Sequence, residues 1–123
     1  MHSSTFFAVS ALAATAFAAD HSVRVGGQTP TELTFTPNVI NASLGDTVTF
    51  KFWPKNHSVA QAAFNAPCQP ANNSFWSGFH ATQQGAANET FSIEIKNESQ
   101  PIWFYCTQGQ HCQNGMVGVI NPP

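Results

Sequence analysis

The chain has 123 residues, a formal net charge of −2 and only 8% charged residues. That length accommodates one domain, and the near-neutral balance lacks the footprint of a nucleic-acid binder or of a protein held on an anionic membrane. Three cysteines allow one disulfide and leave one thiol over, and in an exported chain a leftover thiol calls for a chemical use.

The first stretch reads as an export signal. An apolar run from Phe6 to Phe17 is too short to span a bilayer, and Ala16 and Ala18 supply the small residues of an A-x-A cleavage site. Its charged start is limited to the amino group and His2. Cleavage after Ala18 is expected, dividing the chain into a signal peptide over 1–18 and a domain over 19–123. The end at Asn121-Pro122-Pro123 carries no hydrophobic tail for lipid attachment, so the expected product is exported, without membrane insertion, and monomeric.

Along the domain, alternation of apolar and polar residues points to half-buried strands. Ser22 to Gly26, Glu32 to Thr36 and Val39 to Ala42 are the early candidates, separated by Pro30, Pro37 and Asn38. Thr47 to Trp53 is the clearest: Val48, Phe50 and Phe52 face one way, Thr47, Thr49 and Lys51 the other, after a Gly45-Asp46 turn. Residues 60–73, with weak alternation, Pro67, Pro70 and several Asn, read as a long loop with room for one helical turn. Ser74 to Phe79, Phe91 to Ile95, Ile102 to Cys106 and Met116 to Ile120 complete the predicted strands. Many short strands in one small domain predict an all-β, single-domain antiparallel sandwich. Core packing is the expected role of Trp53, Trp76, Trp103 and most of the 11 Phe residues.

Five Asn-x-Ser/Thr sequons, at Asn41, Asn56, Asn72, Asn88 and Asn97, fit a eukaryotic secreted glycoprotein. No Asp, Glu, Lys or Arg occurs from His57 through Asn88 or from Ser99 through Pro123.

The chemistry concentrates in FYCTQGQHCQNGMVGVI. There Cys106, His111 and Met116 stand at C-x4-H-x4-M spacing, placing a thiolate, an imidazole and a thioether on one short loop. Thiolate and thioether are soft and favour Cu(I), whereas imidazole suits both oxidation states; two His and one Cys in a plane with a weak axial Met make a blue-copper site. Taken alone, Cys106 would as readily be a buried structural thiol. The second imidazole must come from elsewhere, and His57 and His80 are the candidates, since His21 lies beside the expected new N-terminus and His2 in the signal.

Residues 106–116, CTQGQHCQNGM, match the ligand loop C-x4-H-C-x2-G-M of the blue copper proteins called cupredoxins, within their phytocyanin group. Residues 45–59, GDTVTFKFWPKNHSV, resemble the family's strand leading into its first His ligand. With the sandwich pattern, the likeness covers most of residues 22–121, and in its short size and scant charge the chain looks most like secreted fungal members.

The resemblance implies a Greek-key sandwich that binds one copper through His57, Cys106, His111 and Met116, with His57 preferred over His80. It also implies a disulfide between Cys68 and Cys112. Asn56 would hydrogen-bond near the metal thiolate and hold the two ligand segments together. Its sequon offers an opposite role as a glycosylated surface residue; the buried role is preferred, which leaves Asn41, Asn72, Asn88 and Asn97 as glycosylation candidates.

The expected function is a secreted mononuclear type 1 copper protein passing single electrons between extracellular redox partners, proteins or small molecules, free or held in a cell wall. The alternative is copper sequestration or a wall-associated role with the same ligands and no redox part. An enzyme is not expected: the chain has no His-x-His pair for the extra coppers of a multicopper oxidase. A copper oxygenase using an N-terminal His would require cleavage before His21, after Asp20, a poor cleavage position.

Overall fold

The computed structural model describes residues 17–123, so the expected export signal lies, up to residue 16, outside the described residues. Eleven strands follow in order: β1 Asp20–Val25, β2 Phe35–Thr36, β3 Val39–Ile40, β4 Thr47–Phe52, β5 Lys55–His57, β6 Ala60–Ala63, β7 Ala66–Pro70, β8 His80–Thr82, β9 Thr90–Glu94, β10 Ile102–Tyr105 and β11 Val117–Ile120. They form one sheet of order β2-β1-β4-β9, a second of order β3-β11-β10-β6-β7, and a small β5-β8 ribbon. Among the described residues, no helix is long and apolar enough to cross a membrane.

The period-2 pattern decides what is buried. Val48, Phe50 and Phe52 of β4 are fully buried, as are Val23 and Val25 of β1 beside them. Across the sandwich, Phe104 of β10 stacks on Phe35 at 4.8 Å between centroids and meets Phe50 edge-on at 5.3 Å. Such aromatic contacts are worth about 0.5–1.5 kcal/mol beyond their area, so Phe104 ties one sheet to the other. Cys106 and Met116 belong to this same core, so two of the candidate ligands are built on the sandwich interior.

The all-β sandwich matches the expectation, with differences in detail. Two pairings are parallel, β1 with β4 and β3 with β11. Between β1 and β4 the chain passes through β3 of the other sheet, so the two run side by side in one direction without a hairpin between them, which a purely antiparallel reading misses.

The expected loop at 60–73 holds the β6–β7 hairpin, which turns at Phe64-Asn65. Its apolar alternation uses Ala60 and Ala62, both buried, and is too faint to read because Ala is small; pairing with β10 supplies what local preference does not. Ser74 to Phe79 makes only an isolated bridge, Ala60 to Trp76. Glu32 to Thr36 shortens to Phe35–Thr36 because the chain turns before it, Glu32 N–H donating to Thr29 O.

The tryptophans also depart from expectation. Trp76 is 54% exposed, Trp53 and Trp103 are half-buried, and Phe64 and Phe79 face solvent. Residues 64, 76 and 79 lie outside the named strands, in the β6–β7 turn and the segment 73–79, and so miss the alternating positions that face the core.

At the far end, Asp46 is buried and accepts hydrogen bonds from the backbone N–H groups of Ala19 and Ser43, with His21 Nε2 2.9 Å from its Oδ2. The His21 contact first, then the two amides, hold its carboxyl down to about 2. This fastens the start of β1 to the turn before β4.

Candidate metal centre

His57 reaches the site through β5, which a short antiparallel ribbon with β8 holds in place, Lys55 opposite Thr82 and His57 opposite His80. Pro54 O lies 3.0 Å from His57 Nε2. A carbonyl only accepts, so the proton sits on Nε2 and the Nδ1 lone pair is free. That Nδ1 faces Cys106 Sγ at 3.9 Å.

Gly26 makes room for this ring. Its φ is +85°, and a Cβ there would come 2.5 Å from His57 Nε2 and 2.7 Å from its Cδ2. Both conditions require glycine.

The other donors sit on the loop that joins β10 to β11. Successive turns fold it back on itself: His111 N–H donates to Gln108 O, Met116 N–H to His111 O, and Cys106 N–H to Met116 O. Backbone bonds thus connect the three candidate ligand residues directly. Gly115, at φ +104°, allows the reversal before Met116. His111 Nδ1 lies 3.5 Å from Cys106 Sγ, and the His57 and His111 rings are 5.0 Å apart.

The nitrogens of His57 and His111 and the Cys106 sulfur all lie within 4.8 Å of one another. Cys106 and His57 are 1% exposed, Met116 is fully buried, and His111 is half-buried. Burial pushes the Cys106 thiol up, opposed by the N–H groups of Ser58 and Gln108, and pushes both imidazoles down. Neutral imidazoles are the ligating form, and the cluster excludes hard-ion chemistry because it offers no carboxylate.

His80 does not join the group. Its ring stacks on Phe52 at 4.3 Å, its Nε2 lies 3.0 Å from Ser77 O, and its Nδ1 is 3.6 Å from Glu89. His21 is at the opposite end, against Asp46.

Cys68 and Cys112 form a disulfide across 44 residues, joining β7 to the residue after His111. Cys106 is the free cysteine. Asn56 is half-buried and donates from Nδ2 to Gln108 Oε1 at 3.0 Å, which links β5 to the ligand loop. Ser58 N–H points to Cys106 Sγ at 3.5 Å.

Ser58 has a second part that sequence reading missed. Its Oγ lies 2.6 Å from Thr107 Oγ1 and accepts from Thr107 N–H at 3.0 Å. The only available signal was adjacency, since Ser58 follows His57 and Thr107 follows Cys106.

Residues 21–121 match the family described as copper binding proteins, plastocyanin/azurin family. The chain is 45% identical over 91 residues to a probable GPI-anchored cupredoxin-1 of Arthroderma benhamiae, covering 74% of this chain and 46% of the relative. It is 39% identical over 92 residues to an extracellular serine-rich protein of the same fungus, covering 74% of this chain and 36% of that one. The chain thus spans less than half the length of these curated relatives. Among solved structures, a pseudoazurin from Sinorhizobium meliltoi superposes with a TM-score of 0.54 at 25% identity, covering 83% of this chain and 72% of that one.

A soft thiolate, two neutral imidazoles and a buried thioether on the adjoining loop residue fit one copper ion as a donor set. The family match over nearly the whole described chain and the buried His57, Cys106 and His111 cluster agree: the chain belongs to the plastocyanin/azurin family of copper-binding proteins.

Proposed function

We propose that the protein is an exported, mononuclear blue copper protein that carries single electrons between extracellular redox partners. The convergence of Cys106 Sγ with His57 Nδ1 and His111 Nδ1 in a buried pocket carries this reading. His57, Cys106, His111 and Met116 would hold the metal, and copper so bound would supply one-electron chemistry.

The surrounding residues serve that use. Ser58 N–H stabilises charge on the sulfur, Pro54 fixes the His57 tautomer, and the Asn56–Gln108 bond and the disulfide hold the two ligand segments in register. His111 alone of the four is half-exposed, which makes its edge the electron port. Export is supported by relatives named as GPI-anchored and extracellular, and cleavage after Ala18 would follow from the Ala16-x-Ala18 pattern.

The test is the visible spectrum of the secreted, disulfide-bonded protein with Cu(II). We expect an intense thiolate-to-copper band in the red that Cys106→Ser abolishes. Met116→Leu should keep the colour while shifting the reduction potential measured by voltammetry. A pale spectrum, or colour retained in the serine variant, would remove Cys106 from the metal and with it the blue-copper reading.

A further inference from the structure

On the side of the metal loop, the segment 73–79 runs along the start of β6, with Ser77 N–H donating to Val59 O and Gln61 N–H to Phe75 O. A groove of about 560 Å³ opens there, lined by Asn73, Phe75, Trp76, Phe79, Tyr105 and Thr107 among others. This is the size of a small-ligand site. Trp76 and Phe79 stand nearly perpendicular with centroids 5.5 Å apart, and both are about half exposed, at 54% and 48%.

Three observations define what fits. The lining contains no charged residue, so the occupant is neutral. Exposed aromatic faces are electron-rich and suit the C–H face of a saturated ring. Asn73 and Tyr105 add residues bearing an amide and a hydroxyl to the lining, and a few polar groups in an otherwise apolar site are what orient a ligand. A neutral ring carrying hydroxyl or acetamido groups meets all three conditions.

The chain supplies a tether at the rim. Asn72 is the acceptor of the sequon Asn72-Asn73-Ser74, is exposed, and sits between Ala71 and Asn73, both of which line the groove. The turn that presents it is fixed by Asn73 at φ 50° and by Ser74 Oγ donating to Ala71 O.

We infer that Asn72 carries an N-linked glycan whose first N-acetylglucosamine rings lie in this groove against Trp76 and Phe79. The tether keeps the sugar at high local concentration, so weak stacking suffices to seat it. The glycan then covers the exposed aromatic patch next to Thr107, the residue following Cys106. This inference rests on the export reading, since N-glycosylation requires entry into the secretory pathway.

The full chain, secreted from a glycosylating eukaryotic host, would be mapped by glycopeptide mass spectrometry. Its copper-free form would then be studied by NMR. Expected are a glycan at Asn72 and an N-acetyl methyl signal shifted upfield, with cross-peaks to the Trp76 indole that vanish in Trp76→Ala. The Asn72→Gln protein should gain tryptophan quenching by acrylamide.

Sugar at Asn41, Asn88 or Asn97 with Asn72 bare overturns this inference alone, whereas no sugar at any sequon overturns the export reading as well. A modified Asn72 without Trp76 contacts overturns the seating. Titration of the Asn72→Gln protein with free N,N′-diacetylchitobiose separates the sources: if Asn72 is bare in the wild type and the variant binds the free sugar, the groove is a site for untethered glycan and the tethered occupant is wrong.

Discussion

Cys106, His111 and Met116 arrive on eleven consecutive residues that hydrogen-bond to one another, whereas His57 arrives on a three-residue strand paired with a ribbon partner 23 positions away. The loop is further cross-linked through Cys112, while β5 is held by the ribbon, by Pro54 and by the gap that Gly26 leaves. Local closure fixes three donors to one another; the fourth takes its position from the packing of the sandwich. The site is therefore pre-organised on one side by covalent and backbone bonds and on the other by tertiary fit.

Breaking the loop's covalent tie should have the largest effect on stability. A bridge closing 44 residues stabilises by about 4 kcal/mol on the chain-entropy model. We expect the Cys68→Ala/Cys112→Ala protein to lose about 2–5 kcal/mol in urea denaturation. A loss below about 1 kcal/mol would show that the loop's backbone bonds suffice.

The tertiary side is probed by Gly26→Ala. The substitution forces a side chain into a φ of +85° and against the His57 ring, a cost of about 1–3 kcal/mol. It should also displace His57, weakening copper affinity and altering the visible and EPR spectra. An unchanged spectrum with lowered stability would mean that His57 tolerates the shift and that Pro54 alone sets its position.

The smallest effect is expected where the two sides meet. Asn56→Ala removes the hydrogen bond to Gln108, a net loss of about 0.5–1.5 kcal/mol, measurable by the same denaturation. Non-additivity with Gly26→Ala in a double-mutant cycle would show that β5 and the loop are energetically coupled.

This contrast also explains what could be read from the sequence. The ligand loop was legible because its donors are contiguous, and β4 because Val48, Phe50 and Phe52 alternate strongly. Nothing in local spacing separates His57 from His80, which sit opposite each other in one ribbon. The structure separates them by what surrounds each ring, a sulfur for one and Phe52 for the other. The β6–β7 hairpin hid behind alanines, and Ser58 behind a hydroxyl common in any loop. Gly26 could not be read as a ligand-positioning residue because its use is an absence of atoms.

Of the three pairings that Cys68, Cys106 and Cys112 permit, one alone leaves a thiol at the copper position. Either of the others would consume Cys106 and remove the thiol from the cluster with His57 and His111. Whether a newly made molecule can bind copper through Cys106 is thus decided by which two thiols are oxidised to the disulfide.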